Sequence, residues 1–198
     1  MGRREPDAPP TLLQHMFKMM TYGAVSPKSS VPPSWRAHLS KPLSLYGMSS
    51  FTYSVTGLHA LFMSLHCPGA LPAWADYFTV EAVLVTIQGV LSFCADVLNI
   101  GRPSIFHVLD RCLALTLTGL QLLKFAVILP PWMSRGELAF VWLGIAVGIY
   151  CKVQGYNAIL HKQMERFRTW HIWWHFVMPL AIGAWHGGRW LTASSCAL

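Results

Sequence analysis

Long apolar blocks, separated by short breaks rich in proline and glycine, dominate the chain from about residue 45 onward. They are continuous rather than alternating, which predicts membrane-spanning helices and argues against a transmembrane β-barrel. Five spans are expected, at about 45–66, 74–97, 105–129, 137–155 and 170–190. Pro68, Gly69 and Pro72 separate the first two, Asn99 to Pro103 make a tight turn after the second, and Pro130-Pro131 end the third. The first span is the least apolar and carries His59 among several Ser, Thr and Gly residues. In the fourth, Gly144, Ala146 and Gly148 suit close helix packing. Gln154 to Arg168 reads as a polar, basic connection. Ahead of the spans lies a polar, proline-rich tail at 1–44, in which Thr11 to Met20 can form a short amphipathic surface helix. No secretory signal is expected there, and residues 193–198 read as a short C-terminal tail after the transmembrane domain at 45–192.

Composition sharpens this. Of 198 residues 54% are hydrophobic and only 12% charged, which excludes an ordinary soluble domain. The expected fold class is all-α, an integral membrane helical bundle of about five transmembrane helices. The formal charge of +7 does not point to nucleic acid once the topology is considered. Beyond the basic tail, Arg102, Arg111, Lys152, Lys162, Arg166 and Arg168 fall on one side of the membrane, against Lys124, Arg135 and Arg189 on the other. The positive-inside rule then predicts a multi-pass protein with a cytoplasmic N-terminus, and an endomembrane is the expected location. Five cysteines form no CxxC pair, which favours free thiols over a disulfide framework. A P-loop, a Rossmann glycine fingerprint, a GxSxG elbow and zinc-finger spacing are all missing from the sequence.

The candidate chemistry lies in the few polar residues of the apolar spans. His171 and His175 stand four residues apart, so a helix places both imidazoles on one face, where their nitrogens can converge on one metal ion. The plain alternative is a pair of interfacial histidines among tryptophans. Ser92 and Asp96 share a face at the end of the second span. Ser104 can cap the third, which places His107 in its first turn and Asp110 one turn later. Topology brings the end of span two and the starts of spans three and five to the same membrane face. Ser92, Asp96, His107, Asp110, His171 and His175 can therefore meet at one depth. Intramembrane carboxylates are costly and turn inward toward partners. Such a set could cage a divalent cation, zinc being the natural candidate, with a carboxylate to orient water and a serine to support an oxyanion. Each residue also has a structural reading: Asp96 can cap the turn between spans two and three rather than bind metal, and Ser92 can simply bond a carbonyl one turn back. Glu81 and Gln88, two turns apart, could form an interior polar stripe. Lys124 is expected to snorkel outward, and His59 and His186 to be packed or interfacial.

This arrangement resembles the CREST superfamily of membrane hydrolases, which includes alkaline ceramidases, progestin and adipoQ receptors, and GPI-remodelling lipases. The family pattern is a serine with a histidine four residues on, an aspartate at the start of the next span, and HxxxH on the last. His171 and His175 match the HxxxH element, Ser92 the serine and Asp110 the aspartate. The histidine expected after Ser92 is Asp96 here, and His107 could supply an imidazole from the neighbouring helix. The family has seven spans against the five expected in this chain.

The resemblance implies zinc-dependent hydrolysis of a lipid amide or ester. His171 and His175 would be ligands, Asp96 or His107 the third, with Asp110 orienting water and Ser92 at the oxyanion. Membrane lipids are the expected partners and substrates. The alternative is a non-enzymatic scaffold, receptor-like protein or complex subunit, whose polar cluster ties helices together and whose partners are other membrane proteins.

Overall fold

A computed structural model of the chain describes residues 33–66, 75–129 and 133–192. These form α1 (Pro33–Leu39), α2 (Leu45–Ser49), α3 (Phe51–His66), α4 (Ala75–Phe93), α5 (Ile105–Leu123), α6 (Arg135–Leu160) and α7 (Met164–Thr192), with no strand among the described residues. The fold is an all-α helical bundle. The amphipathic helix expected at 11–20 lies outside the described residues, as do Cys67 and Cys196.

The helix starts follow from local chemistry. Ser44 and Ser104 accept hydrogen bonds from backbone N–H groups in the first turns of α2 and α5, and Ser134 with Glu137 completes a reciprocal capping box on α6. Two differences from the sequence reading stand out. The first expected span divides at Ser50 into α2 and α3, and α6 runs on to Leu160, so only His161 to Gln163 separate it from α7. Gln154 to Leu160 mix polar residues with Ala158, Ile159 and Leu160 and contain no helix breaker other than Gly155, so the helix simply continues.

Five helices carry the bundle. α3 packs along α4, α7 against both α3 and α6, and α5 against α4. The α3–α4 contact is very close because Gly57 faces the backbone of α4 at Ala82 and Thr86, and Gly89 faces the backbone at Ser50, just before α3, and at Ser54 within it. A methyl group at either position would collide with main-chain atoms. Gly144 and Gly148 do the same work for α6, meeting Ala181 and Met178 of α7, whereas Ala146 faces outward.

The distribution of polarity is that of a membrane protein. Val80, Val83, Ile87 and Val90 expose a continuous apolar face on α4, and Val55, Leu58, Phe62 and Leu65 do so on α3, while Glu81, Gln88, Ser92, Gln121, His171 and His175 are buried. Three stretches, Phe78–Leu98, Ile105–Ile128 and Arg135–Leu160, are long and apolar enough to cross a bilayer.

α4 and α5 each end in one wider, π-helical turn, Cys94–Leu98 and Lys124–Ile128. Such turns often mark functional or strained positions. Each holds a charged residue turned toward the interior, Asp96 in the first and Lys124 in the second. α6 approaches α5 at the second of these turns and is not packed along the rest of it. The helices thus enclose a cavity of about 520 Å³ whose wall includes α5 residues Arg111 and Leu115 and α6 residues Lys152 and Tyr156.

Candidate metal centre

The site is assembled by three elements arriving at one end of the bundle. The π-helical turn of α4 supplies Asp96, the third and fourth turns of α7 supply His171 and His175, and α2 supplies Ser49. An apolar cluster of Leu39, Tyr46, Val97, Ala158, Met164 and Phe167 packs these elements together. Tyr46 stacks on the His171 ring with centroids 5.0 Å apart, and Tyr53 meets His175 edge-on.

Asp96, His171 and His175 each offer one ligand atom, and these atoms lie within 4.8 Å of one another. Asp96 Oδ2 is 3.0 Å from His171 Nε2. Ser92 Oγ lies 3.4 Å from both Asp96 Oδ2 and His175 Nε2, one helical turn from Asp96 on the same helix. The two imidazole centroids are 4.4 Å apart, as expected for adjacent turns of one helix face.

The orientation of His175 is set from the other side of its ring. Ser49 Oγ donates to the Tyr46 carbonyl at 2.7 Å, so it meets His175 Nδ1, 3.1 Å away, as an acceptor. Nδ1 therefore carries the proton, and the Nε2 lone pair points toward Ser92 and the triad. A ring nitrogen held by an outer hydrogen bond is the usual companion of a metal-ligating histidine. Pro179 adds a second restraint. Lacking an N–H, it cannot bond the carbonyl of His175 four residues earlier. Thr52 Oγ1 at the start of α3 lies 2.5 Å from that freed oxygen and 2.5 Å from the Ser49 carbonyl, so its one proton is shared between the two, joining α3 to α7 at the histidine itself.

All six residues singled out from the sequence line this cavity, yet they play different parts in it. Ser92, Asp96, His171 and His175 form a connected group. Asp110 stands apart from it, its Oδ1 accepting from Gln88 Nε2 at 2.7 Å. His107 is buried, but its Nε2 faces the carbonyls of Asn99 and Arg102 at 3.2 and 3.1 Å. Nε2–H thus closes the α4–α5 turn, and the cluster able to hold a metal among the described residues does not include it.

No family model, curated protein or solved structure matches this chain.

The donor set suits a divalent cation on its own chemistry: two imidazoles and one carboxylate, with the outer hydrogen bond between His175 Nδ1 and Ser49 already in place. Sequence reasoning missed Ser49 and Thr52. The only signal was the density of Ser and Thr where the first span begins, and nothing in that pattern singles out the residue that meets His175. Lys152 was noted as a basic residue only. It lines the cavity and lies over the Trp174 ring, 5.1 Å from its centre.

Proposed function

We propose that this chain is a five-span membrane protein, N-terminus cytoplasmic, whose cavity serves as the active site of a zinc-dependent hydrolase of lipid amides or esters. The observation that carries the proposal is the Asp96–His171–His175 triad on the wall of a largely apolar, bundle-length cavity. The likeness of Ser92, Asp110, His171 and His175 to the CREST pattern supports the same reading.

In this reading Asp96, His171 and His175 would hold the ion, with Asp96 in the role the CREST pattern gives to a histidine. Zinc bound there would supply Lewis acidity toward a carbonyl oxygen and toward an attacking water. The protein's own groups do the rest. Ser49 keeps the His175 tautomer fixed through Nδ1. Ser92 Oγ, beside His175, is placed to donate to an oxyanion. Gln88 anchors one oxygen of Asp110, leaving that carboxylate oriented to accept a proton from water. The spacing between α5 and α6, with Arg111 and Lys152 on the cavity wall, gives an acyl chain a lateral way in and a polar head two cations to meet.

A second reading has its own observation. Asp96, His171, His175 and Ser92 already find partners within the cluster and with Ser49. Such a network could serve only to tie α2, α4 and α7 together in a scaffold or a subunit of a membrane complex. Elemental analysis of detergent-purified protein separates the two. The hydrolase reading expects about one zinc per chain, lost in His171→Ala/His175→Ala, and lipid hydrolysis lost with it. Wild-type protein prepared without chelators and free of stoichiometric metal would leave the scaffold reading standing.

A further inference from the structure

The cavity runs along the inner face of α4 from the triad past Gln88 to Glu81. Ser92 and Glu81 are eleven residues apart on one helix, which makes the slot roughly 16 Å long between mainly apolar walls. It also has a mouth. Leu115 of α5 and Tyr156 of α6 line the cavity yet are 69% and 41% exposed, so the gap between these two helices opens sideways. One turn from Leu115 stands Arg111, and one turn from Tyr156 stands Lys152. Each shares its neighbour's helix face and lies on the cavity wall.

Lys152 is the side chain at this end that the metal centre does not explain. It lies eight residues before the end of α6, roughly 12 Å inside a stretch long and apolar enough to span a bilayer. A lysine at such a depth ordinarily snorkels to the interface or pairs with a carboxylate. This one turns across the bundle to the Trp174 ring, next to His175 in the chain, and makes no ion pair among the described residues. Arg111 is in the same position. Its guanidinium makes no ion pair or hydrogen bond among the described residues, and only Nε is covered, which leaves the terminal nitrogens open. The two cations are near enough to act on one another across the gap. Asp96 and Asp110 act on Lys152 as well, but Asp96 is engaged by His171 and Ser92, and Asp110 by Gln88.

Two like charges facing one gap without a counter-ion between them describe what fits there. An anion that both can hold needs oxygens on more than one side. A planar carboxylate is satisfied by one guanidinium, whereas a tetrahedral phosphate offers oxygens to a guanidinium, an ammonium and a phenol together. We propose that the cavity takes a single-chain phospholipid, its phosphate held between Arg111 and Lys152 with Tyr156 donating, and its acyl chain laid along α4. This deepens the hydrolase reading by naming phosphate-bearing lipids as the substrate class. It rests on that reading for the reaction and on the two cations for the binding.

The test is calorimetric titration of the full chain in neutral detergent with three probes: oleoyl lysophosphatidic acid, monooleoylglycerol, which keeps the chain and lacks the phosphate, and glycerol phosphate, which keeps the phosphate and lacks the chain. The phospholipid is expected to bind about tenfold or more tighter than either fragment. Lys152→Met and Arg111→Gln should each lower the preference over monooleoylglycerol about fivefold and leave binding of monooleoylglycerol itself unchanged. Lys152→Met removes an unpaired charge from an apolar span, so it should melt no lower than wild type. Arg166→Gln, at an exposed position on the same end of the bundle, should leave the preference as it was. His171→Ala/His175→Ala should lose metal and keep the preference, which reads the head-group site and the metal centre separately. Wild-type protein that binds the phospholipid no better than monooleoylglycerol overturns the proposal whether or not the variants fold. Glycerol phosphate bound as tightly as the phospholipid overturns the lipid assignment. A preference that survives both cavity substitutions, falls equally with Arg166→Gln, or vanishes with the two histidines overturns the assignment to Arg111 and Lys152.

Discussion

The two ends of the cavity solve one problem in opposite ways. Each brings a carboxylate into the interior, and at each a π-helical turn carries one of the charged residues involved. At one end Glu81 is met by Lys124 at 2.5 Å, with Gln121 beside them, and Lys124 is only 1% exposed. The ammonium also lies 4.9 Å from the Phe125 ring centre and 5.5 Å from that of Phe78. The cation there belongs to the chain. At the other end Asp96 accepts from His171 and Ser92, and His175 stands beside them with its Nε2 lone pair turned to the group. One carboxylate is closed off by a fixed charge; the other stands among ligands. The lesson is that burial of an acidic residue does not by itself indicate a site. The nature of its partners does.

The largest expected effect breaks the closed end. Glu81→Leu strands Lys124 in an apolar interior and should cost about 3–5 kcal/mol, read as loss of folded protein or a large fall in the tryptophan-monitored melting temperature in detergent. Glu81→Leu/Lys124→Leu should recover most of that loss, because replacing a whole buried pair by apolar residues is often neutral. Asp96→Leu in metal-free protein should cost only about 1–2 kcal/mol, since neither Ser92 nor His171 is a fixed charge that its loss would strand. Equal losses for Glu81→Leu and Asp96→Leu would mean that the two ends are energetically alike, and the contrast drawn here would fail.

That contrast was only half legible in the sequence. The helical class and most span positions follow from apolar blocks: 74–97 became Ala75 through Leu98, and 105–129 became Ile105 through Ile128. The meeting of Ser92, Asp96, His171 and His175 followed from sidedness, because loops fix which helix ends share a face. Lys124 was misread as an outward, snorkelling residue. Its partner Glu81 lies 43 residues away on another helix, and no local periodicity couples the two. His107 was placed correctly in the first turn of α5, but its ring turns back to the carbonyls of Asn99 and Arg102, a choice made by the turn between α4 and α5. Ser49 was invisible because its role arises only when α2 and α7 pack. Long-range pairings of this kind need the third dimension.

Ser49 gives the next prediction, of intermediate size. Ser49→Ala removes the acceptor that holds His175 Nδ1–H, leaving Nε2 as a ligand but freeing the ring to turn or change tautomer. Zinc affinity should fall by about 10- to 100-fold, measured by competition with a fluorescent chelator, while the melting temperature of the metal-free protein changes little. Ser49→Thr, which keeps the hydroxyl, should restore most of the affinity if its extra methyl group is accommodated. If Ser49→Ala lowers metal-free stability as much as it lowers zinc affinity, the residue is a helix tie and the open end is structural after all.

The smallest effect concerns the carbonyl of His175. Pro179 removes the helical donor that this oxygen would otherwise have, and Thr52 Oγ1, shared with the Ser49 carbonyl, approaches it to 2.5 Å instead. Thr52→Val keeps the shape and removes the donor, so a partly buried acceptor loses its partner at a cost of about 1 kcal/mol. Pro179→Ala supplies a helical N–H for the same oxygen. The valine substitution should therefore matter less in a Pro179→Ala background, and a double-mutant cycle on thermal stability should show coupling of about 0.5 kcal/mol or more between two residues of different helices. Additive effects would mean that Thr52 and Pro179 do not share the His175 carbonyl. α3 would then be held against the histidine helix by packing alone, and the orientation of His175 would rest on Ser49.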